Sequence, residues 1–402
     1  MAAEQQAPKA RTTALPAPAM GEPYLLTPGP LTTSVAVKRA MDRDWGSWDS
    51  DFRMMTAEMR RRLLELVEDT AGEFDCVPMQ GSGTFAVEAM VGSFVPRAGK
   101  ALVLINGAYG TRIARILEYL GRDFTVIDKG DYLPPRGAEV TRALAADSQI
   151  SHVIAVHCET SSGILNPIAE IAGAVHAAGA KLLIDAMSSF GALNLTVKSI
   201  RFDAMVSSAN KCLEGVPGFG FVIARKSELE TARGRSHSLS LDIHDQWQTM
   251  NTTGQWRFTP PTHVVAAFME ALRAHEAEGG VAGRGRRYAE NRDVLVAGMR
   301  QLGFETLLEK RWLSPIIVTF FSPAHPGFEF ARFYELMKQK GFIIYPGKLT
   351  VVDSFRIGCI GAIDAAVMAC VVKAAGEALA EMGVESAAPP PEALNARAEL
   401  MD

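Results

Sequence analysis

The sequence predicts an α/β fold in which one mainly parallel sheet is covered by helices and followed by a smaller α+β domain. From about residue 50, short apolar runs alternate with helical patterns, which is the order that builds a parallel sheet. After Pro260 and Pro261 the pattern changes to two long helical stretches, then strand-like segments and further helices. A chain of 402 residues is long enough for two domains and a large core.

Strand candidates and tails divide the chain into four parts. We expect a disordered N-terminal tail over residues 1–22 and a disordered C-terminal tail, rich in proline and alanine, over residues 385–402. Between them, we expect the N-terminal segment and large domain over 23–260, and the small domain over 261–384. The strand candidates of the large sheet are residues 101–105, 124–127, 152–156, 181–184, 204–207 and 220–224.

The composition argues against several classes of protein. With 41 basic and 45 acidic residues the formal charge is −4, so we expect no nucleic-acid binding and no membrane attraction. Apolar runs stay shorter than the roughly 20 residues needed to cross a bilayer. The five cysteines are an odd number without metal-ligand spacing, which predicts reduced thiols, a cytoplasmic protein and no metal site.

Lys211 points most directly to a function. It lies in a small, apolar and glycine-rich run, residues 203–224, where a solvated charge would be out of place. Burial lowers the pKa of a lysine, and its neutral amine can then attack a carbonyl. The run therefore indicates a lysine that forms a Schiff base. A lysine that extends from a strand end to the surface is the alternative.

Asp185 is the candidate partner of Lys211. It follows the apolar run 181–184, and ligands of open α/β sheets gather where strands end, so both side chains can face one ligand. Pyridoxal phosphate needs such a pair, because a carboxylate keeps its pyridine nitrogen protonated while a lysine holds its aldehyde. A helix cap is the alternative for Asp185 alone.

Small residues before a helical pattern predict an anion site. Ser82, Gly83 and Thr84 can offer backbone N–H groups and hydroxyls to a phosphate at the helix N-terminus. An ordinary helix start is the alternative. The segment lacks the glycine spacing of a dinucleotide site and the lysine of a P-loop, so a monophosphate fits better.

Three further side chains belong to strand-like segments or the loops after them. Tyr109 could lie against a flat heteroaromatic ring or simply pack in its loop. Thr160 could bond the phenolic oxygen of the cofactor or act as a plain turn residue. Arg356 offers a bidentate fork for a carboxylate or phosphonate, with a structural ion pair as the alternative.

Long motifs in the chain resemble the fold-type I, class V pyridoxal-phosphate aminotransferases. The resemblance extends from residue 24 to about residue 383 and implies their large domain with a seven-stranded-type sheet, their smaller C-terminal domain and their homodimer. Relatives commonly show a threonine run where this chain has CETSSG, but Thr160 is kept. The motifs are YLLTPGPLTTS, DWGSWDSDF, QGSGTFAVEA, CETSSGILNP, LLIDAMSSFGA, SSANKCLEGVPGFGFVIAR and FRIGCIG.

The resemblance also implies roles for single residues. Lys211 matches the Schiff-base lysine, Asp185 the partner of the pyridine nitrogen, and Tyr109 the aromatic that stacks on the ring. Arg356 matches the residue that binds the acid group of the substrate, and Thr259 matches a phosphate contact made across the subunit interface. The phosphate-binding neighbourhood is matched by Ser82, Gly83, Thr84, Ser188 and Asn210.

The activity implied by the resemblance is a ping-pong transamination. Within the class, the motifs are similar to those of members that transfer the amino group of 2-aminoethylphosphonate to pyruvate in phosphonate catabolism, giving phosphonoacetaldehyde and L-alanine. An alanine:glyoxylate or serine:glyoxylate aminotransferase would use the same lysine and aspartate. A cysteine desulfurase normally needs a histidine where this chain has Asn210. A protein that binds the cofactor without turnover is the remaining alternative.

Overall fold

The computed structural model describes residues 21–348 and 352–401, so most of the tail predicted over residues 1–22 lies outside the described residues. Within these ranges the chain forms fourteen β-strands. In chain order they are β1 (Tyr24–Leu25), β2 (Phe74–Gln80), β3 (Lys100–Ile105), β4 (Asp123–Asp128), β5 (Ile150–Val156), β6 (Cys158–Glu159), β7 (Ile164–Leu165), β8 (Lys181–Asp185), β9 (Ala204–Ser208), β10 (Phe219–Arg225), β11 (Ile317–Phe321), β12 (Phe342–Ile343), β13 (Tyr345–Pro346) and β14 (Ser354–Gly358).

The same ranges contain thirteen α-helices and one short 3-10 helix at Lys310–Trp312. No helix in residues 21–348 or 352–401 is long and apolar enough to span a membrane. The α-helices are α1 (Val35–Arg39), α2 (Ser50–Leu66), α3 (Gly83–Phe94), α4 (Ala108–Tyr119), α5 (Gly137–Ala146), α6 (Ile168–Ala177), α7 (Lys226–Thr231), α8 (Ile243–Thr253), α9 (Thr262–Ala277), α10 (Gly280–Gln301), α11 (Phe330–Gln339), α12 (Ala365–Glu381) and α13 (Pro391–Met401).

Seven strands form the large sheet in the order β2-β10-β9-β8-β5-β3-β4. The neighbours from β9 to β4 pair in parallel, whereas β10 is antiparallel to both β9 and β2. All five residues of β9 are buried, as expected for a strand in a sheet that helices cover on both faces. The predicted α/β fold with a mainly parallel sheet is confirmed.

β2 is the strand of this sheet that the apolar pattern does not reveal. Asp75 and Pro78 interrupt its run. β2 lies at the edge of the sheet, where a proline without an N–H group is tolerated because one side of the strand needs no ladder partner. The carboxylate of Asp75 accepts hydrogen bonds from Arg60 Nη2 and Trp247 Nε1, each 2.8 Å long, and is thereby accommodated at this edge.

The small domain has its own sheet and its own hydrophobic core. β14 pairs antiparallel with β11 and β13, and the core beneath this sheet contains side chains of α10, α11 and α12. β1 pairs in parallel with β12, and Tyr24 and Leu26 belong to the same core. The first described strand is therefore part of the small domain, and the chain then passes through residues 27–31 to the large domain.

α9 packs with a different domain from the one expected from the predicted boundary at residue 260. Its side chains Val265, Phe268 and Leu272 are buried in the core of the large domain. The ring of Phe268 lies 5.2 Å from that of Phe219 in β10, edge to face. α9 therefore packs with the large sheet, and the change of partner core occurs along α10, whose Leu295 and Met299 are in the small-domain core.

The C-terminal end also differs from the prediction, because α13 occupies most of the range predicted as a disordered tail. Ala393 is buried in a cluster with Leu307 and Phe321. Arg397 Nη1 donates a 2.6 Å hydrogen bond to the carbonyl of Thr306, and its guanidinium lies 5.8 Å from the Phe321 ring. These contacts give a proline- and alanine-rich segment a surface on which to fold.

Candidate active site

A cavity of about 320 Å³ opens where strands of the large sheet end. Asp185 is the last residue of β8, Lys211 follows the end of β9, and α3 begins beside them. Parallel strands bring their carboxyl ends to one edge, which is why residues distant in sequence meet here. Seven of the predicted site residues line the cavity: Ser82, Gly83, Thr84, Tyr109, Asp185, Asn210 and Lys211.

Lys211 is partly buried at the cavity, and its acceptors among the described residues are backbone carbonyls. Its Nζ donates to the carbonyl oxygens of Pro28 at 2.7 Å and Gly29 at 3.2 Å. Gly29 has a φ of 108°, and a Cβ there would lie 2.7 Å from Lys211 Cδ, so this close approach requires glycine. Burial lowers the pKa of Lys211 to about 8. A much larger share of the amine is therefore neutral near physiological pH than for a solvated lysine.

The loop after Lys211 is fixed by side chains of α10. The carbonyl of Cys212 accepts hydrogen bonds from Arg284 Nη1 and the Tyr288 hydroxyl. Glu214, which has a left-handed φ of 59°, accepts hydrogen bonds from the Tyr288 hydroxyl at 2.5 Å and from Arg287 Nη2 at 2.8 Å. The arrangement holds the backbone on the carboxyl side of the lysine and so orients its side chain.

Asp185 faces the same cavity, and burial shifts its pKa upward, whereas burial shifts that of Lys211 downward. Its residue is buried, and Oδ1 accepts a 2.9 Å hydrogen bond from the Met187 N–H. Burial raises the pKa of Asp185 to about 6, against the effect of that hydrogen bond. A cationic donor placed in the cavity would lower this pKa and be stabilised by the carboxylate in return. Asp185 is thus suited to hold a protonated ring nitrogen.

The start of α3 offers groups that fit an anion. Ser82 is the N-cap residue but makes no side-chain cap hydrogen bond, so its hydroxyl is not committed to the helix. Ser208, at the end of β9, also lines the cavity; it is fully buried, and its Oγ has no hydrogen-bond partner among the described residues. A phosphate at the positive end of α3 would satisfy both hydroxyls. The donor set therefore fits a phosphate-bearing cofactor.

Ser208 and Arg112 are cavity residues that the sequence reasoning missed. Ser208 precedes Lys211 by three positions in the run SSANK, and its place at a strand end is the signal that could have identified it. Arg112 lies one helical turn after Tyr109 on α4. Its Nη1 donates a 3.0 Å hydrogen bond to Thr84 Oγ1, and its Cζ lies 4.9 Å from the Tyr109 ring centroid.

Thr160 and Arg356 form the next layer around Tyr109 and do not line the cavity itself. Both residues are buried. Arg356 Nη1 donates to the carbonyl of Thr160 at 2.8 Å, and Nε donates to the carbonyl of Pro346 at 2.9 Å. Burial lowers the pKa of Arg356, and its Cζ lies 5.2 Å from the Tyr345 ring. The guanidinium is therefore fixed in place while Nη2 is not used by either bond.

The structure does not bring Ser188 and Thr259 into the cavity of this chain. Ser188 is buried below it, and its carbonyl accepts a hydrogen bond from Cys212 Sγ. Thr259 is exposed, and its carbonyl accepts a 3.3 Å hydrogen bond from Gln80 Nε2. Any role of these two residues toward a phosphate therefore needs either a backbone contact or a second chain.

Glu159 is a further residue that the sequence reasoning missed. It is completely buried, and its carboxylate accepts hydrogen bonds from the N–H groups of Tyr109, Gly110 and Ser161 and from the Ser161 hydroxyl. Burial raises the pKa of Glu159, while the four donors act in the opposite direction. Glu159 thus joins the loop that carries Thr160 to the helix that carries Tyr109.

The fold and the cavity are those of an α/β transferase with a lysine at the centre of its site. Comparison with known proteins identifies the same class. The model of the aminotransferase class-V family matches residues 82–351, and the chain belongs to this family. The protein named 2-aminoethylphosphonate–pyruvate transaminase from Rhizobium meliloti is 72% identical over 95% of this chain and 100% of its own length. A protein of the same name from Paraburkholderia xenovorans is 69% identical over 96% of this chain and 99% of its own length.

Solved structures show the same fold at much lower identity. Pyridoxamine–pyruvate aminotransferase from Mesorhizobium loti has a TM-score of 0.82 and 22% identity, over 96% of this chain and 98% of its own. Ureidoglycine–glyoxylate aminotransferase from Bacillus subtilis also has a TM-score of 0.82, with 20% identity over 97% of this chain and 100% of its own. The arrangement of helices and strands is thus shared with enzymes of different substrates.

The pKa of Lys211 predicts how its reactivity depends on pH. In cofactor-free protein, we expect labelling of Lys211 by an amine-reactive reagent to increase through about pH 8, because the ammonium form dominates below that value. The labelled peptide is quantified by mass spectrometry, with the peptide of the exposed Lys198 as internal reference. A midpoint near the ordinary lysine value of about 10.4 would contradict the effect of burial.

Proposed function

We propose that this chain is a pyridoxal-phosphate-dependent transaminase that moves the amino group of 2-aminoethylphosphonate to pyruvate. The observation that supports the chemistry is the partly buried Lys211, with its lowered pKa, in one cavity with Asp185 and the phosphate-type donors at the start of α3. The substrate choice is supported by the near full-length identity to proteins of that name. The products are phosphonoacetaldehyde and L-alanine.

The cavity residues fit pyridoxal phosphate group by group. Ser82, Gly83 and Thr84 would hold the phosphate, and the unpaired hydroxyl of Ser208 adds a further donor. Asp185 would keep the ring nitrogen protonated, and Tyr109 would lie against the ring. When bound, the cofactor supplies an aldehyde for the amino group and a ring that withdraws electrons from the substrate carbon.

Lys211 carries the proton transfers. Its neutral amine would take a proton from the amine-bearing carbon of 2-aminoethylphosphonate, and the resulting ammonium would act as the acid that gives a proton back in the next step. In the second half-reaction the same nitrogen moves protons in the reverse direction to convert pyruvate to L-alanine. A pKa of about 8 suits both directions, because neither protonation state of Lys211 is strongly disfavoured.

Arg356 is the residue proposed to bind the acid group of each substrate. Its two backbone hydrogen bonds to Thr160 and Pro346 fix the plane of the guanidinium beside Tyr109. A fixed fork can bind the paired oxygens of a phosphonate in one half-reaction and those of a carboxylate in the other. One site can therefore serve both substrates of a ping-pong enzyme.

A homodimer is part of the proposal and is supported by apolar surface beside the cavity. Phe85, in the first turn of α3, is 52% exposed, and Phe258, next to Thr259, is 41% exposed. Gln80 Nε2 donates to the carbonyls of both Phe258 and Thr259, which fixes this segment at the edge strand β2. Exposed aromatic side chains at a site rim are typical of a surface that another chain covers. Thr259 could then reach the phosphate of a second subunit.

A cytoplasmic location also stays a proposal, supported by the odd number of cysteines, all five of which are free thiols. Four of them are fully buried. Burial raises the pKa of Cys212 and of Cys158, which keeps these thiols protonated and unreactive beside the proposed site.

A spectral titration of the cofactor-loaded protein tests the proposed substrates directly. We expect 2-aminoethylphosphonate to convert the bound cofactor to its amine form, and pyruvate to restore the original absorbance. Rapid turnover of L-serine with glyoxylate, without any response to 2-aminoethylphosphonate, would favour the serine:glyoxylate alternative. An unchanged spectrum with every amine donor would indicate a protein that binds the cofactor without turnover.

Lys211→Ala separates cofactor binding from catalysis. Because the phosphate donors and Asp185 are unchanged, we expect the variant to bind the cofactor non-covalently. We expect transamination to fall by on the order of 10²–10⁴-fold or more, since the group that transfers protons is lost. Stopped-flow absorbance measures the rate, and Lys198→Ala, at an exposed position, is the control. Turnover near that of the unaltered protein would refute the role of Lys211.

Arg356→Ala tests whether one site binds both acids. We expect kcat/KM to fall for 2-aminoethylphosphonate and for pyruvate, each by roughly ten- to a hundredfold, the loss typical of a charge-assisted hydrogen bond. Steady-state kinetics of the two half-reactions provide the measurement. Arg115→Ala, an exposed arginine on α4, is the matched control. A loss confined to one substrate would show that the two acids bind at separate places.

A further inference from the structure

Three cationic side chains lie around Tyr109. A single carboxylate ligand would not need three cations to balance its charge. Arg112 Cζ lies 4.9 Å from the Tyr109 ring centroid, and Lys348 Nζ lies 5.6 Å from it. The guanidinium of Arg356 is the third charge of the group, which we call the Tyr109 cation cluster. The cluster consists of Arg112, Lys348 and Arg356.

The three cations differ in how far their hydrogen bonds are already used. Arg112 donates to Thr84 Oγ1, and Arg356 donates to two backbone carbonyls. Lys348 is half-buried, and its Nζ makes no hydrogen bond or ion pair to any residue in 21–348 or 352–401. Of the cluster, Lys348 therefore has the ammonium donors most available to a ligand.

The negative charge nearby does not balance this cluster. Glu159 is the carboxylate that acts on Lys348, and its oxygens are occupied by four donors of Tyr109, Gly110 and Ser161. Burial lowers the pKa of Lys348, the charges of Arg112 and Arg356 lower it further, and Glu159 opposes them. Uncompensated like charges are unfavourable until an anion joins them. The cluster is thus suited to a ligand with more than one negative charge.

Lys348 is also linked to Arg356 through the backbone. β13 pairs with β14 so that Tyr345 lies opposite Arg356, and the carbonyl of Pro346 holds Arg356 Nε at 2.9 Å. The Gly347 N–H donates a 3.0 Å hydrogen bond to the carbonyl of Ser354, which continues this pairing up to the residue before Lys348. The ammonium of Lys348 and the fork of Arg356 therefore start from one fixed piece of sheet.

We infer that Lys348 is a specificity-determining residue that contacts the phosphonate of the amine donor beside Arg356. The inference rests on the proposed function. A phosphonate has three oxygens and a second ionisable proton, so it can carry up to two negative charges, whereas a carboxylate has two oxygens and carries one. The planar fork of Arg356 takes two oxygens, as it does with a carboxylate, and the compact ammonium of Lys348 takes the third. Pyruvate lacks both the third oxygen and the second charge.

Binding of unreactive anions to the cofactor-loaded protein tests this inference without turnover. Isothermal titration calorimetry, at a pH above the second ionisation of ethylphosphonate, would compare ethylphosphonate, ethanesulfonate and propanoate. These are a dianion with three oxygens, a monoanion with three oxygens and a carboxylate. In Lys348→Met we expect ethylphosphonate binding to weaken by about ten- to a hundredfold. Propanoate binding should change by less than about threefold, within the range of a weak surface charge effect.

Kinetics and pH provide independent measurements on the same variant. In Lys348→Met, kcat/KM should fall selectively for 2-aminoethylphosphonate and stay nearly constant for L-alanine in the reverse direction. In the unaltered protein, ethylphosphonate should bind more tightly as the pH rises through its second ionisation, and this gain should be smaller in Lys348→Met. Lys348→Arg keeps the charge and should retain most of the preference. Lys198→Met, which removes an exposed lysine, should behave as the unaltered protein.

Two results would overturn the inference. Equal losses for ethylphosphonate and propanoate would make Lys348 a general source of positive charge, and no loss for either would remove it from the anion site. The fate of the proposed function is decided separately. If the unaltered protein does not use 2-aminoethylphosphonate with pyruvate, that function fails whatever Lys348→Met does to ethylphosphonate binding.

Discussion

The site depends on the partly buried amine of Lys211, which makes no ion pair with a carboxylate among the described residues. Within residues 21–348 and 352–401, its hydrogen bonds go to the carbonyls of Pro28 and Gly29, so no ion pair offsets the effect of burial and the pKa drops to about 8. Those carbonyls belong to the segment that follows β1, and β1 pairs with β12 in a two-stranded sheet that packs on the small-domain core. The reactivity of a lysine in the large domain is therefore set by a segment that leaves the small domain. The packing of the two domains therefore affects the pKa of Lys211 through the contacts of Pro28 and Gly29.

α10 provides the second connection between the domains and the lysine. Arg287 and Tyr288 hold the carboxylate of Glu214, whose left-handed backbone costs about 1–3 kcal/mol and needs such support. The later turns of the same helix are buried in the small-domain core through Leu295 and Met299. A shift of the small domain would thus be transmitted to both sides of Lys211. The domain contact thus holds the nitrogen that we propose to react in place.

The sequence predicts the parts of the fold and site that follow from local patterns. Alternating strand and helix signals identify the large sheet, and the strand-end rule brings Lys211 and Asp185 together. Edge strand β2 is not predicted, because its proline is accommodated by the edge position and its aspartate by hydrogen bonds from Arg60 and Trp247, which a local pattern does not reveal. Ser208 and Glu159 are not predicted from the sequence for another reason. The significance of Ser208 lies in an unpaired hydroxyl inside the cavity. That of Glu159 lies in the backbone donors of Tyr109 and Gly110, which are distant in sequence, added to those of the neighbouring Ser161.

An enzyme that alternates between two acids needs an anion site that is common to both and yet distinguishes them. A rigid fork is suited to the common part, because the paired oxygens of a carboxylate and of a phosphonate have similar spacing. Arg356 has this rigidity, since two carbonyls and burial fix its plane. To distinguish a phosphonate from a carboxylate, the site needs a compact charge on a flexible side chain that can contact the third oxygen of the phosphonate. Lys348 has that chemistry. Its ammonium lies near the positive charges of Arg112 and Arg356, and a ligand with two negative charges reduces the repulsion among these three cations more than a ligand with one.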